Sequence, residues 1–227
     1  TALDLSSNAF SELSGRHWQA LFDMIKGSTI ETLTLSQNAF SYLNQYQWQA
    51  LCAALQGSAI TTLNASNAFL LPRLSDIQLQ AFCESIKGTT ITNLQLSQDE
   101  IVSLKDHQWQ IFGKAFKDSA VTRLNLTNNH LYWATESQWQ AFFSGLQNSA
   151  VTTLELGRNE LYRFTEAKWQ AFGQALKYTP ITALDLSENF LSGRNESEWM
   201  AFCEFIRGSA ITSLNLSHNY FPEASKP

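Results

Sequence analysis

Cysteine, proline and methionine are scarce in this 227-residue chain: it holds three, four and two of them. Cys52, Cys83 and Cys203 are odd in number and lie far apart, which excludes the disulfide framework of a small secreted scaffold. With so few prolines there is no proline-rich linker, and no low-complexity tract divides the chain. Basic residues are also in the minority, with 15 Lys and Arg against 20 Asp and Glu. That mild, evenly spread acidity argues against nucleic acid as a general partner. No apolar run is long enough to span a bilayer. The first residues, TALDLSSNAF, carry neither a Met nor a basic n-region, so they resemble neither a signal peptide nor a natural start. A processed protein, or a fragment of a longer one, is therefore expected.

Catalytic signatures are missing too. There is no G-x-x-x-x-G-K-[ST], no G-x-G-x-x-G and no G-x-S-x-G. His17, His107, His130 and His218 are widely separated and show no metal-ligand spacing. No cofactor, metal or catalytic residue is expected, and the chain reads as a non-enzyme.

What the chain does have is a repeat. Trp18, Trp48, Trp109, Trp139, Trp169 and Trp199 mark one position, with Leu79 in the third copy, and each step is 30 residues except the 31 that lead to Leu79. About seven and a half copies fill residues 1–227 as a single domain. In each copy a two-residue alternation, such as Leu124 and Leu126, predicts a short strand with both leucines on one side. An Asn follows where the chain must turn: Asn8, Asn38, Asn129, Asn159, Asn189 and Asn219. Its side chain both donates and accepts, so stacked copies can satisfy backbone groups in successive turns. Asp99 fills that slot in the fourth copy with an acceptor only. Asn67 arrives one residue early in the third, where local irregularity is expected.

A helix completes the unit. Ser14, Asn44, Ser75, Thr135, Thr165 and Asn195 read as N-caps, and Gln47, Gln78, Gln138 and Glu198 complete capping boxes. Lys105 breaks the series, and Asp106 is the expected substitute. The recurrent Trp and its i+3 and i+7 partners, such as Phe172 and Leu176, form the buried face. The cysteines, four residues after the landmark position, read as small hydrophobes on the inner side. Small residues such as Ala54, Ala115, Gly145 and Ala175 should let helix and sheet approach closely. Gly27, Gly57, Gly88, Gly208 or Asn148 should end the helices in the left-handed conformation. One strand and one helix cannot enclose a core alone, but stacked neighbours share one. Strands about 4.8 Å apart and helices about 8–10 Å apart force an arc with the sheet inside.

VTRLNLTNNHL, VTTLELGRNEL, ITALDLSENFL and ITSLNLSHNYF match IxxLxLxxNxL, so the chain resembles the leucine-rich repeat proteins, and its long helical half the ribonuclease-inhibitor type. The resemblance covers residues 1–221 and implies an α/β solenoid, a curved horseshoe arc with a parallel β-sheet on the concave face and α-helices on the convex face. More loosely, the uniform copies with their recurring QWQAF resemble leucine-rich-repeat effectors delivered into host cells by intracellular bacteria. That likeness implies secretion into the host cytoplasm, a role in virulence and a host protein as partner. Two alternatives stay open: a GTPase-activating member of the superfamily, for which Arg123 and Arg158 are the candidates, or a structural or targeting module of a larger polypeptide.

The strand residues that face away from the leucines are free to read a partner. Arg123, Glu155, Arg158, Asp185 and Glu188 form an alternating-sign patch in the C-terminal half, with the polar Asn125 among them, suited to registering a protein ligand; the competing reading is a solvated face. Tyr42, Tyr132 and Tyr162 recur on the loops leaving the strands, where they either anchor a partner or pack between loops. Trp133, which interrupts the pattern, is the rim aromatic expected to be exposed.

Overall fold

A computed structural model describes residues 1–8, 10, 13–38 and 40–221; the PEASKP tail lies outside them. Among these residues eight short parallel strands form one sheet in sequence order: β1 (Ala2–Asp4), β2 (Thr32–Thr34), β3 (Thr62–Asn64), β4 (Asn93–Gln95), β5 (Arg123–Asn125), β6 (Thr153–Glu155), β7 (Ala183–Asp185) and β8 (Ser213–Asn215). Seven helices alternate with them: α1 (Gly15–Lys26), α2 (Gln45–Gln56), α3 (Asp76–Lys87), α4 (Asp106–Lys114), α5 (Glu136–Leu146), α6 (Glu166–Leu176) and α7 (Glu196–Gly208). This is the open leucine-rich-repeat solenoid, with strands on the concave face and helices on the convex one. The central leucines, Leu33, Leu63, Leu94, Leu124, Leu154 and Leu184, pair in register and are buried, while the residues on either side of them face the concave surface.

The register is held at each turn by the asparagines. Asn129 N–H donates to Asn159 Oδ1 at 2.8 Å, Asn159 N–H to Asn189 Oδ1 at 2.8 Å, and Asn189 N–H to Asn219 Oδ1 at 2.9 Å. Each Nδ2 reaches back to the preceding repeat, Asn129 to the Leu96 carbonyl and Asn159 to that of Leu126. These amides are buried, and each would cost roughly 1–3 kcal/mol if left unpaired, so adjacent repeats cannot slide. The helix starts are equally specific. Capping boxes close at Asn44–Gln47, Ser75–Gln78, Thr135–Gln138 and Asn195–Glu198. Thr165 caps without a box, since Lys168 stands at N3, and the Ser14 side chain makes no cap bond.

Several expectations need correction. Asp106 does not take over capping: α4 still begins after Lys105, whose N–H donates to Gln108 Oε1, while Asp106 Oδ1 accepts from Gln138 in the next helix. The helix-ending glycines are not left-handed. Gly27, Gly57 and Gly88 have φ of −88°, −92° and −93°. At Gly57 a Cβ would lie 2.7 Å from the exposed Lys26 side chain, which would have to swing aside. Positive φ falls instead on side-chain-bearing residues beside the Asn slot, among them Asn128 and His130, Arg158 and Glu160, Glu188 and Phe190. Gly145 serves helix-to-helix rather than helix-to-sheet approach; a Cβ on it would meet the Gly113 backbone of α4 at 2.2 Å.

The landmark aromatics Trp18, Trp48, Trp109, Trp139 and Trp169 are core, but Trp199 is only half-buried, and Cys203 is exposed where Cys52 and Cys83 are buried. Both differences have one cause. These slots are covered by the following helix, and no described helix follows α7.

The third repeat's irregularity is a compensated one. Its additional loop residue places Phe69 fully inside the core, edge-on to Trp48 at 5.3 Å and to Phe82 at 5.0 Å. The inserted ring occupies core space in the repeat where Leu79 replaces the landmark indole.

Trp169→Ala is expected to cost about 3–5 kcal/mol of stability, the range for a large aromatic removed from a core. Trp199→Ala, at the half-covered end, is expected to cost less than half as much. Urea unfolding of the two variants beside the parent chain checks the ordering.

Candidate functional site

The concave face and the rim above it are where side chains depart from structural need. Arg123 on β5 reaches across to Glu155 on β6, and Arg158 Nε meets Glu188 Oε2 at 2.9 Å in the turns after β6 and β7. Opposite charges one repeat apart therefore neutralise each other along the arc. The Glu188 carboxylate raises the pKa of the Arg158 guanidinium through their hydrogen bond. Both arginines face carboxylates while their side chains stay more than half exposed.

Asn125 and Asp185 are less free than the strand alternation suggested. Asn125 Oδ1 accepts from Thr127 N–H at 2.8 Å, and Asp185 Oδ1 from Ser187 N–H at 2.7 Å. Asp4, Asn64 and Asn215 repeat the same bond at the strand exit. A short polar side chain that accepts from the backbone two residues on stabilises a turn. At this slot Asp and Asn serve the fold with one oxygen and face solvent with the rest.

The rim is built differently. Trp133, at the end of the single 3-10 turn Leu131–Trp133, is 64% exposed and lies against Tyr132, ring centroids 4.7 Å apart. Arg163 sits with its guanidinium 4.5 Å from the Tyr132 ring centre and 5.2 Å from that of Tyr162, and its Nε donates to the Tyr162 hydroxyl at 2.8 Å. Tyr162 meets Phe190 edge-on at 5.9 Å, and Phe190 stacks on Tyr220 at 5.6 Å. The result is a continuous aromatic ridge across four repeats, beside the charged pairs of the concave face. Tyr42 lies on the corresponding loop three repeats before Tyr132 with its hydroxyl bonded to Arg73, outside this ridge.

Phe190 and Tyr220 went unnoticed as candidates because their slot holds Glu100, His130 and Glu160 in the preceding repeats, and those read as ordinary loop polarity. The signal was available: two aromatics follow three polar residues in the same slot. Both adopt positive φ, 58° and 57°, and are 48% and 71% exposed. The left-handed conformation costs a residue of this kind roughly 1–2 kcal/mol, so backbone preference does not account for the choice.

The buried polar residues behave structurally. Arg194 lies beneath the ridge with its guanidinium 4.7 Å from the Trp169 ring centre and donates to the Phe164 carbonyl at 3.0 Å. Burial lowers its pKa to about 10. Among the described residues no three His, Cys, Asp or Glu side chains converge as a metal site would require. A hollow of about 670 Å³ on the convex side, between α4 and α5, is lined by Lys114, Lys117, Gln140, Ser144 and Asn148 among others, with no nucleophile–base pair. No helix of the described residues is long and apolar enough to cross a membrane.

With this geometry in hand, the comparisons bear on the fold. The chain superposes on the leucine-rich repeat-containing protein LegL7 from Legionella pneumophila with a TM-score of 0.78 and 24% identity, over 98% of this chain and 67% of that one. A match to a putative deoxyribose-phosphate aldolase from Coccidioides immitis, at 12% identity over 92% of this chain and 96% of that one, has a TM-score of 0.32 and bears no weight. No family model and no curated protein matches the sequence.

Burial pushes the Cys52 and Cys83 thiols up to about 11 and 12, so neither is a thiolate at ordinary pH, while Cys203 is exposed. Native protein treated with a thiol-disulfide reagent at pH 8 is therefore expected to react quickly at one cysteine, mapped by mass spectrometry to Cys203. In denaturant all three should react. Rapid native labelling of Cys52 or Cys83 would contradict the packing of α2 against α3.

Proposed function

We propose that this chain is a protein-interaction module, non-enzymatic, which binds its partner through the C-terminal half of the concave face and the adjoining rim. The observation that carries the reading is the aromatic ridge from Trp133 to Tyr220. Exposed, mutually supported aromatics at the edge of a charged surface are the usual anchors of protein interfaces. The pairs Arg123–Glu155 and Arg158–Glu188 beside it offer both signs of charge in fixed register, which favours one docking orientation over others. Trp133 supplies the central apolar contact. Asn125 and Asp185 contribute the polar atoms that their turns leave free.

In its finer form the proposal is that of a bacterial effector, secreted into a host cell, that binds a host protein. The QWQAF-bearing repeats and the similarity to a Legionella leucine-rich-repeat protein support that form. A purely structural role is disfavoured by Phe190 and Tyr220, which expose aromatic surface at a backbone position that other residue types hold more cheaply.

The test is affinity capture from eukaryotic lysate with four proteins side by side: the parent chain, Arg158→Glu, a Trp133→Ala/Phe190→Ser double variant, and Lys114→Glu on the convex face as control. A partner held by the parent and the control, and weakened at least tenfold in direct binding by the two others with melting unchanged, supports the site. Equal retention by all four would remove the concave face and rim from the interface.

A further inference from the structure

The asparagine ladder departs from its pattern in two successive slots, those of the third and fourth repeats. Ala68 stands in the third repeat's slot and carries no polar group, so Phe40 N–H takes the Ala68 carbonyl instead. In the fourth repeat the slot holds Asp99, which is fully buried. Its Oδ1 accepts from Phe69 N–H at 3.1 Å and Leu70 N–H at 3.0 Å, in the lengthened loop of the repeat before, and its own N–H donates to Asn129 Oδ1 at 2.9 Å. Oδ2 is buried without a hydrogen-bond partner. At Asn129, Asn159, Asn189 and Asn219 the matching atom is the Nδ2 that donates to a carbonyl of the preceding repeat. By strand register the corresponding carbonyl here belongs to Ala65, which accepts from Ala68 N–H at 3.1 Å and keeps a second lone pair for a side-chain donor.

An ionised carboxylate has nothing to donate to that carbonyl, whereas a carboxylic acid protonated on Oδ2 has the ladder amide's pattern of one acceptor and one donor. The titratable side chains on the three turns around it, Arg73, Glu100 and His130, are all exposed, so no buried counter-charge faces the carboxylate. We propose that Asp99 is a proton-gated joint: protonated it substitutes for the ladder asparagine, and ionised it weakens the contact between the third and fourth repeats. Mild acid then tightens the arc at the junction between its N-terminal repeats and the part that carries the rim.

The direction follows from linkage. Burial drives the Asp99 carboxyl up to about 7, against the opposing pull of the backbone N–H groups of Leu70, Phe69, Ala68 and Asn67. An unfolded Asp titrates near 4, roughly. The folded chain therefore binds the additional proton across that interval. The stability it confers is fully present below about pH 4 and is lost as pH rises through about 7.

The test compares the whole chain with Asp99→Asn, a residue the other ladder slots already accommodate. Urea unfolding is followed between pH 4.5 and 8, with the Asp99 carboxyl titrated by carbon-13 NMR and amide exchange read at Phe69 and Leu70. The variant should lose this site's pH dependence, its advantage in folding equilibrium over the parent growing by about 10²–10³-fold toward pH 8. The carboxyl should titrate near neutrality, and the difference in exchange should centre on Phe69 and Leu70. A carboxyl midpoint near 4, or a parent–variant difference independent of pH, would overturn the proposal.

Discussion

The primary amide at the head of each turn is the contact on which the arc depends. Asn159, for example, accepts from Asn129 N–H and donates to the Leu126 carbonyl, both in the repeat before, and donates to Gly157 in its own turn, so a single group satisfies buried polarity on both sides of a joint. Backbone hydrogen bonds between three-residue strands would tolerate a slip; a buried amide that must find both partners does not. With the 30-residue spacing pinned at the turn, the leucines meet in register, the helix aromatics fall against those of the next helix, and the outward strand residues line up across the sheet. The candidate surface inherits its order from that joint.

Much of this was legible in the residues alone, because a repeat states each rule several times. The alternation of Leu124 and Leu126 gave the strand, Thr135 with Gln138 the helix start, and Trp139 with Phe142 and Leu146 the buried face. Failures occurred where position in the array matters more than residue type. Trp199 and Cys203 occupy slots that are buried elsewhere, yet burial there comes from a neighbouring helix and not from the slot itself. The glycines at 27, 57 and 88 were expected to supply left-handed backbone. The chain places that geometry at Arg158, Glu160, Glu188 and Phe190 instead, where the turn's hydrogen bonds hold it.

The candidate surface was half legible for a related reason. A charge on a concave strand can be named from alternation, and Arg123, Glu155, Arg158 and Glu188 lie on that face. Which charges pair, and that Asn125 and Asp185 also close their own turns, depends on distances no periodicity supplies. The ridge is a property of four repeats at once. Its members come from three different slots, and only their contact in space, from Tyr132 and Trp133 through Arg163 and Tyr162 to Phe190 and Tyr220, makes them one feature.

Phe69 has a consequence for how such an array can change by duplication. Its ring fills the core beside Trp48 and Phe82 in the repeat that has Leu79 in place of tryptophan, so a loop insertion and a helix substitution ten residues apart form one unit of inheritance. Recombination with a breakpoint between them would separate the inserted ring from the helix it meets at Phe82 and so change the packing on both sides. Crossovers within this repeat are thereby penalised, while those at its borders, where the strand register is common to all copies, are not. The irregular repeat would be copied or lost whole.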